Sequence, residues 1–207
     1  MRKARYENGF TLVELMVAMI VTSIVTTAVV TLAYALDTVN DVTDETSNKQ
    51  AQIRFAALRV SDLIRHCKLI CGTPGGELAV WRADDNGDGQ ININELVYIN
   101  AGPGQDHIRL YECNNLANPV IALGDIASVG SGWWLGFYDS DTYAELIPAC
   151  SNVQFLLDSP APYTQLLSIS FDLTENGIDR QYQISAGLRG WAGNLLDGSG
   201  NIISDDD

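Results

Sequence analysis

Histidine and basic side chains are the scarcest resources of this sequence. Only His66 and His107 occur in 207 residues, which excludes a His-rich metal centre and leaves few partners for a nucleophile of the serine-triad kind. Lys and Arg number 12 against 26 Asp and Glu, a formal net charge of −14. A protein that binds nucleic acid by neutralising phosphates needs a basic face, so the charge argues against that class. Neither a Walker-type phosphate loop nor a G-x-S-x-G nucleophile turn is present, and no internal repeat is visible. The chain is nevertheless 46% hydrophobic, too apolar for a disordered acidic tail, and its length suits one or at most two domains.

The apolar content is concentrated. Between Phe10 and Leu36 the one charged residue is Glu14, and the run exceeds the roughly 20 residues that a helix needs to cross a bilayer. Arg2, Lys3 and Arg5 precede it; Asp37, Asp41, Asp44 and Glu45 follow. The distribution of Lys and Arg places Met1 in the cytoplasm and residues after 37 outside. A secretory signal peptide fits poorly, because the run is too long and no small-x-small cleavage site follows it. A plain signal anchor leaves Glu14 unexplained, since a carboxylate in hydrocarbon costs a few kcal/mol.

The string Gly9-Phe10-Thr11-Leu12-Val13-Glu14-Leu15 resembles the processing site of type IV prepilins and pseudopilins. That resemblance implies a leader of residues 1–9, cut after Gly9 by a prepilin peptidase, and N-methylation of the new terminal residue, Phe10. It also implies that Glu14 neutralises the terminal amine of a neighbouring subunit during assembly. Pairing two charges that would each be costly in an apolar filament core offsets the penalty and sets the register. The partners implied are other pilins or pseudopilins met through the N-terminal helix, the prepilin peptidase and methyltransferase, the membrane and an inner-membrane assembly platform. No nucleic acid is expected, and the chain is a substrate of processing rather than an enzyme.

Beyond Leu36 the chain becomes polar but keeps helical spacing. Ile53, Ala56, Val60, Leu63, Ile64, Cys67 and Cys71 recur every three or four residues and predict a packed stripe, with Asp62, Arg65 and Lys68 facing out. Pro74-Gly75-Gly76 ends the pattern. One helix from Phe10 to about Leu69 is expected, its transmembrane or filament-core half covering 10–36 and its soluble part lying within 37–76. Arg54, Arg59 and Arg65 with Leu58 and Leu63 resemble the texture of J-type minor pseudopilins of type II secretion and of W-type minor pilins.

From Glu77 the sequence turns β-rich. Leu78–Trp81, Leu96–Asn100, His107–Glu112, Trp133–Tyr138, Val153–Leu157, Leu166–Leu173 and Arg180–Leu188 read as strands separated by Gly, Asn, Asp and Pro clusters. A long N-terminal helix packed on an antiparallel β-sheet headgroup spanning 77–192 is an α+β fold. Residues 193–207 form an acidic tail.

Residues 84–95 match the EF-hand calcium loop. Asp84, Asn86 and Asp88 stand at its first, third and fifth positions, Gly89 at the sixth, and Gln90 offers a carbonyl at the seventh. Asn92 stands at the ninth position and Glu95 at the twelfth. The flanks are strand-like rather than helical, so the loop is expected to join a hairpin and to hold Ca²⁺ as a structural ion rather than to act as a sensor. Mg²⁺ demands a tighter octahedral shell and suits the loop less.

Cys67, Cys71, Cys113 and Cys150, placed outside the membrane, suggest two disulfides with connectivity open. The alternatives are free thiols or a zinc site with His66. Trp133-Trp134 reads either as one core and one partly exposed ring or as a contact patch. Asp139 and Asp141 read as loop residues rather than catalytic carboxylates. The functional expectation is a minor pilin or pseudopilin, processed and assembled into a type II secretion pseudopilus for protein export. The alternatives are a type IV pilus subunit for adhesion, motility or DNA uptake, or a membrane-anchored calcium-dependent binding module.

Overall fold

The computed structural model describes residues 10–115, 117–128, 133–137, 143–190, 194–197 and 202–203. Two compact units divide the chain, Met1–Ser47 and Asn48–Asp207. Helix α1 (Leu12–His66) begins in the first and ends in the second. The β-strands all belong to the second: β1 (Leu69–Gly72), β2 (Leu78–Trp81), β3 (Leu96–Asn100), β4 (Ile108–Glu112), β5 (Ala144–Ile147), β6 (Ser151–Leu157), β7 (Leu166–Glu175) and β8 (Ile178–Gly187). Helix α2 (Leu123–Ser128) lies between β4 and β5. Strands β1 to β5 form one antiparallel sheet in sequence order, and β6, β7 and β8 form a second. The fold is α+β, a long apolar N-terminal helix with antiparallel sheets.

In the second unit the predicted stripe does its packing. Ala56, Val60 and Ile64 are buried in a core shared with Leu78, Val80, Val97 and Ile99 of the first sheet and Leu167, Ile169 and Phe171 of the second. The opposite face of the five-stranded sheet has a core of its own, with Leu69, Ala79, Trp81, Leu96, Tyr98 and Tyr111 under Ile126 and Trp134. Burial on both faces explains why β2 and β3 read as continuous apolar runs, LAVW and LVYI, instead of alternating. Strands β7 and β8 alternate instead. Asn176 and Gly177, both at positive φ, form the two-residue turn between Glu175 and Ile178, the pairing Asn-Gly favours.

Three expectations change. The helix ends at His66, not near Leu69: Lys68 N–H donates to the Trp81 carbonyl (2.9 Å), and Leu69–Gly72 pairs with β2. Cys71 is therefore on a strand; its spacing from Cys67 fits helical and extended chain alike, and sheet pairing decided between them. Trp133–Gly136 is a 3₁₀ turn rather than a strand, closed by Phe137 N–H on the Trp134 carbonyl (2.9 Å); Tyr138 lies outside the described residues. Strand β5 and helix α2 were not anticipated, because Ala-Glu-Leu-Ile and Leu-Gly-Asp-Ile are too short to display a period.

Candidate functional site

Two regions carry chemistry: the start of α1 and the loop between β2 and β3. Gly9 and the rest of residues 1–9 lie outside the described residues. Phe10 is 89% exposed, and Leu12, Val13, Leu15, Met16, Met19 and Ile20 are exposed behind it. The helix contains a window of mean hydropathy 2.3 with none of its residues buried, long and apolar enough to cross a membrane. The Ser and Thr hydroxyls between residues 12 and 36 are satisfied within the helix. Thr22, Thr26, Thr27 and Thr31 donate to the carbonyls four residues back, at 2.7–2.9 Å, and Ser23 donates to that of Ile20 at 2.8 Å. Hydrocarbon offers such groups no partners, so internal bonding is what a spanning helix requires.

Glu14 does local work that the sequence reading missed. Its Oε2 accepts from Thr11 N–H and from Thr11 Oγ1, both at 2.9 Å, while Thr11 Oγ1 accepts Glu14 N–H at 3.3 Å. This is a reciprocal capping box at the N-terminus of α1. The T-x-x-E spacing in front of an apolar run was the available signal.

The loop forms the expected hairpin: β2 and β3 pair antiparallel from Leu78↔Ile99 to Trp81↔Leu96. Asp84 closes its first turn, Oδ1 accepting from Gly87 N–H (2.9 Å) and Asp88 N–H (3.2 Å) and Oδ2 from Gly89 N–H (2.9 Å). Gly87 and Gly89 take φ of 71° and 67°, the left-handed region where a side chain is strained. Asn86 Nδ2 and Asn92 Nδ2 converge on Asp88 Oδ2 at 2.9 and 3.1 Å. These bonds, with Gln90 N–H on Oδ1, hold the Asp88 carboxyl below the usual carboxylate range.

Glu95, 1% exposed, sits under the loop. It accepts from Asp85 N–H on Oε1 (3.0 Å) and from Asn92 N–H (3.2 Å) and Trp81 Nε1 (3.1 Å) on Oε2. It is also the far end of a capping box with Asn92 over the 3₁₀ turn Ile93–Glu95. The loop is stitched to the segment after β4 by Ile121 N–H on the Ile91 carbonyl (2.8 Å) and Ile93 N–H on that of Pro119 (3.0 Å).

Among the described residues no three His, Cys, Asp or Glu side chains are placed together to hold a metal ion; this holds for Asp84, Asp88 and Glu95 as it does for Cys67, Cys71 and His66. The loop's donors fit a hard cation by chemical type. Turning the Asn86 and Asn92 amides over would replace the nitrogens now facing Asp88 with carbonyl oxygens, the donors that Ca²⁺ takes.

The four cysteines are free thiols in place of the two expected disulfides. Cys67 belongs to the core under α1, with Cys150 at its margin; Cys71 and Cys113 belong to the core on the other sheet face. Burial pushes the Cys67 thiol up to about 12 and Cys150 to about 11, and raises Cys71 and Cys113. Trp134 is the core member of the Trp pair. It is fully buried and stacked on Tyr98 at 4.7 Å, with Nε1 donating to buried Glu77 (2.5 Å). The side chain of Trp133, and Asp139 and Asp141, lie outside the described residues.

No curated protein and no solved structure matches the chain significantly. Residues 4–30 match the family description of the prokaryotic N-terminal methylation motif. That stretch contains Gly9, Phe10, the capping box of Thr11 and Glu14, and most of the exposed apolar helix. The match covers the N-terminal segment and supports the resemblance of that segment to type IV pilin-like proteins.

Proposed function

We propose that this protein is a minor pseudopilin, a structural subunit of a type II secretion pseudopilus. The methylation motif implies processing by a prepilin peptidase and assembly with other pilins, a structural rather than catalytic role. In this reading the chain inserts in the inner membrane with Met1 inside, is cut after Gly9 and methylated on Phe10. Glu14 then receives the terminal amine of a neighbour. The observation that carries the reading is the N-terminal segment: a methylation motif continuing into the apolar run of α1 up to Leu36, whose side chains are unburied and whose one charge is Glu14. Exposed on an isolated chain, such a surface is covered by lipid before assembly and by other subunits after it. The Arg54–Arg65 texture of α1 and the size of the headgroup favour the secretory filament over a pilus.

Calcium completes the reading. Asp84, Asn86, Asp88, the Gln90 carbonyl, Asn92 and Glu95 would hold the ion. A bound ion would clamp the β2–β3 connection and, through Ile91 and Ile93, the segment at 119–121.

Mass spectrometry of the N-terminal peptide from the native membrane fraction tests the processing claim. The expected peptide begins with N-methylated Phe10. A chain still beginning at Met1, or cut after Leu36, would overturn the proposal in favour of an anchored or secreted calcium-binding module.

A further inference from the structure

Asn-Gly occurs twice in the chain, at Asn86-Gly87 and Asn176-Gly177. Asparagine is chemically labile, and a following glycine makes it more so, because a nitrogen with no side chain beside it can attack the asparagine amide carbon. Both pairs are exposed, and a Cβ on either glycine would meet nothing within 4 Å. Room and water access therefore do not distinguish them; their surroundings do.

Asn176 and Gly177 sit at φ of 52° and 76° in the turn closed by Glu175 and Ile178, at the end of a ladder that runs unbroken to Leu166 and Gly187. The carboxylates flanking that turn are engaged elsewhere. Glu175 accepts from Tyr182 Oη (2.6 Å) and pairs with Arg180 (3.6 Å), and Asp179 accepts from Thr174 Oγ1 (2.6 Å). At Asn86 the groups that an attack needs are already in place. Asp84 Oδ1 accepts from Gly87 N–H at 2.9 Å, so a carboxylate lies on the nitrogen that must lose its proton. Asn86 Oδ1 accepts from Asp88 N–H at 3.0 Å, so a donor lies on the oxygen where negative charge develops. A base on the nucleophile and an N–H on the developing oxyanion are the two aids that acyl transfer requires.

We propose that Asn86 is a self-modification site, deamidating through a succinimide with Asp84 as the base. Asp84 takes the proton of Gly87 N–H, and the nitrogen bonds to Asn86 Cγ. Asp88 N–H holds the tetrahedral oxyanion. Its collapse breaks the Cγ–Nδ2 bond, and ammonia leaves with the proton that Asp84 took. Water then opens the ring at either carbonyl, leaving aspartate or isoaspartate. The sum is amide plus water to carboxylate plus ammonium, with nothing oxidised or reduced. Aspartate adds a carboxylate beside Asp84, Asp85 and Asp88, at the loop position where the calcium pattern accepts Asp or Asn; isoaspartate lengthens the backbone between β2 and β3. The reaction belongs to the ion-free loop, because bound calcium would engage the same Asp84 and Asn86 oxygens.

Ageing the full-length chain in detergent and EGTA at neutral pH, folded and in urea, tests this. Mass spectrometry follows the peptides around residues 86 and 176, and electron-transfer fragmentation separates isoaspartate from aspartate. In urea the two Asn-Gly pairs should convert at similar rates, since only local sequence then counts. In the folded protein Asn86 should convert about tenfold faster than Asn176, and faster than it does in urea. Asp84→Asn keeps an oxygen for the Gly87 N–H but removes the base. It should lower the Asn86 rate about tenfold and leave Asn176 unchanged. If that variant unfolds, both of its rates take the urea value, and the wild-type comparison decides. A folded Asn86 that converts more slowly than in urea overturns the proposal, as does a rate indifferent to Asp84→Asn in the folded chain.

Discussion

Glu14 caps its own helix and, on the proposed reading, has a second task. Within the chain it closes the Thr11 capping box; in a filament its carboxylate would also be the counter-ion of a neighbour's amine. These roles separate by substitution. Glu14→Gln keeps a side chain that can reach the Thr11 N–H but removes the charge. Both Glu14→Gln and Glu14→Ala should therefore abolish incorporation into filaments while leaving the subunit in the membrane, as fractionation and shearing would reveal. Normal assembly of Glu14→Gln would show that the cap, not the charge, is what matters.

The cysteines give a second residue-scale prediction. Cys67, with its thiol near 12, is neutral when folded at pH values where an exposed thiol ionises. The unfolded chain therefore loses protons first above its own pKa near 8.5. The stability that comes from keeping this thiol protonated is full below that point and is lost as pH rises toward 12. At pH 8 the native protein should resist iodoacetamide and react at all four cysteines after denaturation, by mass. Two disulfides in protein isolated without reductant would contradict this.

At the scale of elements, the sheet-packed part of α1 buries one apolar stripe, with Arg59 pairing to Glu112 (3.1 Å) beside it. Ile64 is fully buried between helix and sheets, so Ile64→Ala should cost about 2–5 kcal/mol through lost burial and a residual cavity. Thermal unfolding would read this as a clear drop in Tm, whereas Leu58→Ala on the outer face should change Tm little. The stripe was legible because 3.6-residue spacing exposes one face to apolar pressure. The end of the helix was not, because Cys67 and Cys71 satisfy a helical period while Ile70 and Leu69 satisfy a sheet buried on both faces. Pairing with β2, remote from any local signal, chose the strand. The hairpin around the calcium-type loop was readable because its flanks lack helical spacing and its interior carries the required glycines.

At the scale of the whole molecule, the head has two cores on either side of one sheet, and the β2–β3 loop borders the second of them through Ile91 and Ile93. An ion bound there would stabilise the head by mass action, about 2.7 kcal/mol at a hundredfold excess over Kd. That corresponds to a Tm gain of about 5–10 °C for a chain of this size. EGTA should remove the gain, and Asp84→Ala should make Tm indifferent to calcium. If the wild-type protein melts identically in calcium and EGTA, the loop is an ordinary acidic turn.

Sequence alone determined the membrane-competent helix, the processing motif, the α+β class and the β2–loop–β3 hairpin. Each is encoded within a few neighbouring residues: an uninterrupted apolar run, a Gly-Phe boundary with Glu14, a change of period, a fixed spacing of oxygen donors. Tertiary structure alone decided that Leu69–Gly72 is a strand, that Trp134 fills the space between Tyr98 and Tyr111, and that the thiols are distributed over two cores. It also decided that Glu95 is a buried acceptor for Trp81. Those outcomes depend on groups far apart in the chain competing for the same buried volume and the same unpaired hydrogen bonds, and no local pattern records which of them wins.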